Sequence, residues 1–206
     1  MARRTKEDAD ATRRALLDAA EQVFYDKGVA RTSLAEIALA AGTTRGAIYW
    51  HFKDKMDLFN AMVDRISLPL DAVRNADSLT DLDDPLQRVR CVVQQLLALI
   101  VNDARTRRVF EIAMYRVEYV SEFSALRERH QAALMRFRGQ LAQNLELAAR
   151  QAAVVLPMPL ADVALGLQAL FDGLLQAWIL GGAGFDLCAI GAGAVDAYLR
   201  GLGFDV

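Results

Sequence analysis

The chain is poor in what catalysis, metal binding and secretion usually need. Its 206 residues hold two histidines, His51 and His130, and two cysteines, Cys91 and Cys188. Four scattered soft donors cannot make a His/Cys cluster of zinc type, so no metal and no cofactor are expected. Cysteines so far apart read as reduced core thiols rather than a disulfide framework. With only four prolines, long stretches run uninterrupted, and no segment alternates apolar and polar residues as a half-buried strand would. Gly191-Ala192-Gly193 lacks a preceding strand and the third glycine of a dinucleotide fingerprint. Walker loop and nucleophile elbow are both missing, and no acid–base or nucleophile constellation stands out, so an enzyme is not expected. The start, Met1 to Asp8, carries no apolar run, so no signal peptide is expected and the location is taken as cytoplasmic.

What remains is helix material. Apolar residues make up 54% and charged residues 24% of the chain, with a net charge of −2. The total argues mildly against nucleic acid, but the distribution does not. Residues 1–60 hold ten basic side chains against nine acidic, and five of the basic ones fall in the first fourteen positions. Arg45, Lys53 and Lys55 cluster further on. Local potential decides phosphate binding, not the sum over the chain.

The most informative stretch runs from Thr32 to Lys55. Leu34, Ile37, Ala38 and Ala41 recur at helical spacing, and Ser33 with Glu36 makes a capping box ahead of them. Gly42 can take the left-handed conformation that ends this helix, and Thr44 is a good N-cap for the next. In that second short helix Ile48 and Phe52 share one face. Arg45, Tyr49 and Trp50 point elsewhere, with His51 at the end, and Asp54-Lys55-Met56-Asp57 starts a longer helix. A solvated face is the bland reading of these residues, but large aromatics on a short exposed helix usually meet a partner. A helix-turn-helix docking its second helix in a DNA groove supplies one.

Those residues resemble the TetR family of bacterial repressors, in particular the AcrR/TtgR-type regulators of multidrug efflux. The resemblance is tight through Arg3-Arg4-Thr5-Lys6-Glu7, Gly28-Val29-Ala30-Arg31-Thr32 and Thr44-Arg45-Gly46-Ala47-Ile48-Tyr49-Trp50-His51-Phe52. It is thin through Asp103 to Arg108 and Phe171-Asp172-Gly173-Leu174. It implies an all-α fold: a three-helix DNA-binding domain over residues 1–55 and a six-helix ligand-binding and dimerisation domain over 56–206. The DNA-facing set expected is Ser33, Thr43, Thr44, Arg45, Gly46, Tyr49, Trp50, His51 and Lys55. The partners expected are a palindromic double-stranded operator, a small apolar or aromatic effector, and a second copy bound through the last two helices.

Helical periodicity predicts the remaining elements. A basic arm over 1–9 is expected to be disordered without DNA, followed by a helix over 10–27 with Leu16, Ala20, Val23 and Phe24 inward. The fourth helix should run over 55–73, with Pro69 kinking or stopping it, and 74–84 should be a loop. Five more are expected over 85–100, opened by Pro85, and over 104–117, 122–151, 160–180 and 190–202. The eighth is long and apolar enough to cross a membrane. Gln168, Asp172 and Gln176 interrupt it at intervals of four, however, which favours a subunit interface. The resemblance places Asp172 in the effector pocket. Helical facing groups Ile66, Val89, Val93, Leu96, Phe110, Met114, Phe137, Leu141, Phe171 and Gln176 with it. Where the family tends to carry His-Lys-Cys-Glu-Phe, this chain has Tyr115-Arg116-Val117-Glu118-Tyr119, so its pocket should be greasier. The overall expectation is a ligand-released repressor of an efflux operon. A TetR-like regulator of another pathway, or a helical protein-binding adaptor, stands as the alternative.

Overall fold

The computed structural model describes residues 6–74, 83–117 and 124–206. Among them nine helices form and no strand. In chain order they are α1 (Lys6–Lys27), α2 (Leu34–Ala40), α3 (Arg45–His51), α4 (Lys55–Arg74), α5 (Pro85–Asn102), α6 (Ala104–Tyr115), α7 (Ser124–Gln151), α8 (Leu160–Leu180) and α9 (Leu187–Gly201). Backbone proximity divides them into two compact units. One comprises Met1–Leu68 and Ala104–Arg127, the other Pro69–Asp103 and Glu128–Val206.

Three expectations need correction. Helix α1 begins at Lys6, with Glu7 and Asp8 in its first turn where they complement the helix dipole. Residues 6–9 are therefore helical; the rest of the expected arm lies outside the described residues. Helix α4 covers the expected 55–73 and ends at Arg74, so of the two outcomes expected at Pro69 the stop does not occur. Helix α9 starts three residues earlier than expected, because the Asp186 side chain accepts from the Ala189 N–H and serves as its N-cap. The expected loop over 74–84 lies almost wholly outside the described residues.

The first unit is built around α1. Leu16, Leu17, Ala20 and Phe24 are buried along it, while Val23 of the expected stripe is only half-buried. Phe24 packs its ring 5.9 Å from that of Phe59 on α4. One acidic residue enters this core: Glu21 is 4% exposed. Burial pushes its carboxyl above the usual range, and the guanidiniums of Arg105 and Arg65 pull it back. Arg65 on α4 reaches both Asp18 (2.7 Å) and Glu21 (3.0 Å), and Arg105 on α6 reaches the same two carboxylates (2.9 and 3.4 Å). Three helices thus share one ion cluster. The far end of α6 is fastened as well, because the Arg116 carbonyl accepts from the Val29 N–H at 2.9 Å.

The second unit packs α9 against both α5 and α8. Arg90 grips Asp196 through two hydrogen bonds of 2.8 and 3.0 Å, fixing α5 to α9. Gly191 lies where a side chain would run into Leu97 of α5. At Gly166 on α8 a Cβ would collide with the Tyr198 hydroxyl, which donates to the Val163 carbonyl at 2.8 Å. Both cysteines are half-buried and free rather than in the core.

Gly166→Ala tests that close approach. Better helix propensity would favour alanine by about 1 kcal/mol. Displacing a hydrogen-bonded tyrosine ring should cost more, leaving a net loss of about 1–2 kcal/mol in urea unfolding. Tyr198→Ala in the same background should recover the clash part. Additive losses would show that the two residues do not meet.

Candidate nucleic-acid interface and effector residues

Helix α3 is seven residues long and owes its place to its ends and one face. The Thr44 hydroxyl accepts from the Ala47 N–H at 3.2 Å, and the Phe52 N–H closes the last turn on the Ile48 carbonyl at 2.8 Å. Ile48 and Phe52 are buried, and Arg13 of α1 lies over the Phe52 ring at 5.2 Å. The turn before α3 passes through Gly42 at φ +64°, which glycine adopts without strain. The Thr43 N–H bonds the Ala38 carbonyl at 2.9 Å, closing a helix-turn-helix.

With the inward face anchored, the outward face is presented whole. Thr44, Arg45, Gly46, Tyr49 and Trp50 are exposed, and Thr43 and His51 are half-buried. Trp50 is 72% exposed. Its ring meets His51 edge-on at 4.6 Å, and the Arg45 guanidinium lies 5.7 Å from the centre of the Tyr49 ring. Leu39 at the end of α2 is 80% exposed. The sequence did not single it out, since one leucine off the apolar stripe carries no signal. The face offers a cation, hydroxyls and two flat aromatics, a set suited to phosphate, sugar and base edges.

Two other expected DNA-facing residues are already engaged within the protein. Ser33 gives its hydroxyl to Glu36 at 2.9 Å, its N–H to the same carboxylate at 2.8 Å, and accepts from the Glu36 N–H. Lys55 donates to the Ala30 and Thr32 carbonyls, both at 3.0 Å, fixing the α1–α2 loop to the start of α4. That loop turns at Gly28, φ +83°.

The expected effector residues fall in both units. Ile66, Phe110 and Met114 belong to the first, where Ile66 is buried and the other two half-buried. In the second, Val89, Val93, Leu96, Phe137, Leu141 and Phe171 are buried. The rings of Phe137 and Phe171 approach to 5.7 Å across α7 and α8. The polar stripe of α8 is graded: Gln168 is buried, Asp172 half-buried and Gln176 exposed. Gln168 donates to Asp172 at 3.4 Å. An open groove of about 540 Å³ lies at the end of α7, walled by Ala149, Val154, Leu156 and Met158, and includes none of the expected effector residues.

The helix-turn-helix has the geometry of a known family of regulators. Residues 16–62 match the family model for bacterial regulatory proteins of the tetR family. Residues 84–204 match that for the C-terminal region of MAATS-type transcriptional repressors. The chain belongs to the TetR family. The regulator TtgR of Pseudomonas putida is 38% identical over 180 residues, covering 87% of this chain and 86% of its own. NalD, the secondary repressor of the MexAB-OprM multidrug efflux pump in Pseudomonas aeruginosa, superposes with a TM-score of 0.83. It is 33% identical, and the match covers 96% of this chain and 98% of NalD. SmeT, the repressor of the Stenotrophomonas maltophilia multidrug efflux pump SmeDEF, superposes in its complex with triclosan at a TM-score of 0.77. It is also 33% identical, over 93% of this chain and 91% of SmeT. These relatives are transcriptional regulators, and the fold is theirs.

The capping box gives a pH prediction. The Lys27 ammonium at 2.8 Å, then the Ser33 N–H and hydroxyl, hold the Glu36 carboxyl at about 2, below its ordinary value of 4.5. The folded state therefore favours the ionised form. Its stabilising contribution is complete above about pH 4.5 and is lost as pH falls toward 2. Thermal melts followed by circular dichroism should show Glu36→Gln to have a weaker acid dependence than the wild type over that window. An identical dependence would rule out the capping carboxylate as a contributor.

Proposed function

We propose that the protein is a ligand-responsive repressor that binds a palindromic operator as a homodimer and controls a multidrug efflux operon. The observation that carries it is the exposed Arg45, Tyr49 and Trp50 face on a helix anchored from behind by Ile48 and Phe52. In this reading residues 1–55 are the reading head and 56–206 carry effector binding and dimerisation. The protein acts in the cytoplasm, where its operator lies. Thr43, Thr44, Gly46 and His51 complete the contact face. Ser33 and Lys55 meet phosphate only while keeping their internal bonds. Efflux control is supported by NalD and SmeT, both repressors of multidrug pumps.

The outer faces of α8 and α9 support the dimer. Leu165 and Leu180 are exposed on the first, in line with Ala169 and Gly173, and Ile190 is exposed on the second, in line with Gly193 and Ala197. A Cβ built at Gly173 or Gly193 meets nothing within 4 Å. Apolar and small residues on two adjacent helices suit a four-helix bundle with a second copy. By length and composition α8 could also cross a membrane, but its inward half, including Leu167, Phe171 and Trp178, is buried in its own unit. A dimer accounts for the remainder.

An apolar effector, of which triclosan bound to SmeT is the model, would occupy the Phe137–Phe171 region beside Asp172. It would release DNA by favouring a subunit arrangement whose two heads no longer match half-sites one helical turn apart.

Arg45→Ala should weaken operator binding by about 1–3 kcal/mol in a mobility-shift titration with the fold intact. Unchanged affinity would remove Arg45 from the interface. Gly193→Arg should leave each subunit folded, since the position is open in the single chain, yet give monomers by sedimentation and abolish operator binding. A variant that stays dimeric would exclude this face.

A further inference from the structure

Gln168 stands in the inward stripe of an apolar helix. Ala164, Gln168, Phe171 and Leu175 follow one another at helical spacing on α8, and all four are buried. The amide donates Nε2 to Asp172 Oδ2 at 3.4 Å. A carboxylate oxygen can only accept, so this contact decides which end of the amide is nitrogen and turns the carbonyl Oε1 the other way. Gln168 is 5% exposed, and among the described residues no donor reaches Oε1. A desolvated acceptor with no donor opposes folding, and methionine or leucine would fill the same volume without that cost.

We propose that Gln168 selects the effector: its Oε1 accepts a hydrogen bond from an O–H or N–H carried by an aromatic ligand lying against Phe171. This rests on the effector pocket proposed above and narrows its ligands to hydrogen-bond donors. Phe171 follows Gln168 by one turn on the buried face of α8, and its ring lies 5.7 Å from that of Phe137, an aromatic pair on the same side of the helix. Asp172 is half-buried and already faces the amide nitrogen, so it orients Gln168 and is a second anchor for ligands with two donors. An ether or hydrocarbon of the same shape fills the apolar wall but leaves Oε1 unmatched. Such sites reject the analogue that lacks the donor.

The test uses the full-length dimer with 2-naphthol and 2-methoxynaphthalene, followed by titration calorimetry. The wild type should bind the naphthol about tenfold more tightly, the expected effect of one buried hydrogen bond. Gln168→Met should bring the two affinities together near that of the methyl ether and raise the melting temperature of the ligand-free protein. Equal affinities in the wild type would overturn the selection while leaving the pocket reading intact. A preference that persists in Gln168→Met would make Asp172 the acceptor of the ligand hydroxyl and overturn the role of Gln168. A lower melting temperature in Gln168→Met would also overturn it, by showing the carbonyl to be satisfied within the fold. Binding of neither compound to the wild type would remove the pocket reading and this proposal together.

Discussion

A seven-residue helix does not exist alone in water, because nucleating its first turn costs more than so few hydrogen bonds return. Helix α3 is that short, and the first unit is arranged around the need to hold it. Burial of Ile48 and Phe52 supplies the free energy, the Thr44 cap and Gly42 turn set where the helix starts, and α1 provides the wall. Because every anchor lies behind the helix, the forward face is left to Arg45, Tyr49 and Trp50. The fold uses one face of this short segment and leaves the other to the proposed DNA contact.

The second unit meets a different constraint. Its last two helices have more apolar surface than one copy can cover, and the small residues that remove bulk do so in two directions. Gly166 and Gly191 admit Tyr198 and Leu97 from within, whereas Gly173 and Gly193 open outward. Glycine in a helix interior is unfavourable by about 1 kcal/mol relative to alanine. Inward glycines are explained by close packing in the single chain. Outward ones would admit a second chain in the proposed dimer.

Much of this was legible in the sequence because caps, turns and apolar spacing are local signals. The Ser33–Glu36 capping box, the Gly42 turn, the Thr44 cap and the full span of α8 were all readable. What was not readable depends on partners distant in sequence. Lys55 reads as a free cation for phosphate, yet its ammonium sits on two carbonyls more than twenty residues away. Nothing local marks Glu21 as buried, yet it lies in the core against two arginines from later helices. Gln168, Asp172 and Gln176 are equally polar at equal spacing, and only packing separates buried from exposed. Pro69 reads locally as a kink or a stop, and α4 continues through it to Arg74. The Asp186 cap was missed because the small residues after Ile190 gave the stronger pattern.

The ion cluster of the first unit bears on how a signal would travel. The chain passes from one compact unit to the other after Leu68, Asp103 and Arg127. The first crossing falls within α4 and the second adjoins α6, and these are the helices whose arginines share Asp18 and Glu21. A displacement entering along either helix therefore reaches α1 through the same pair of carboxylates. Glu21 is nearly all buried, so removing one guanidinium would leave its charge poorly compensated, and small independent movements of α4 and α6 are penalised. Such a cluster favours moving α1, α4 and α6 as one body over distorting them separately. An effector can shift DNA affinity only by its differential affinity for two arrangements, and a rigid first unit limits how many arrangements there are. In the proposed reading head, few and sharply separated states would suit such a switch. Tying three helices to one buried acid is a direct way to obtain them.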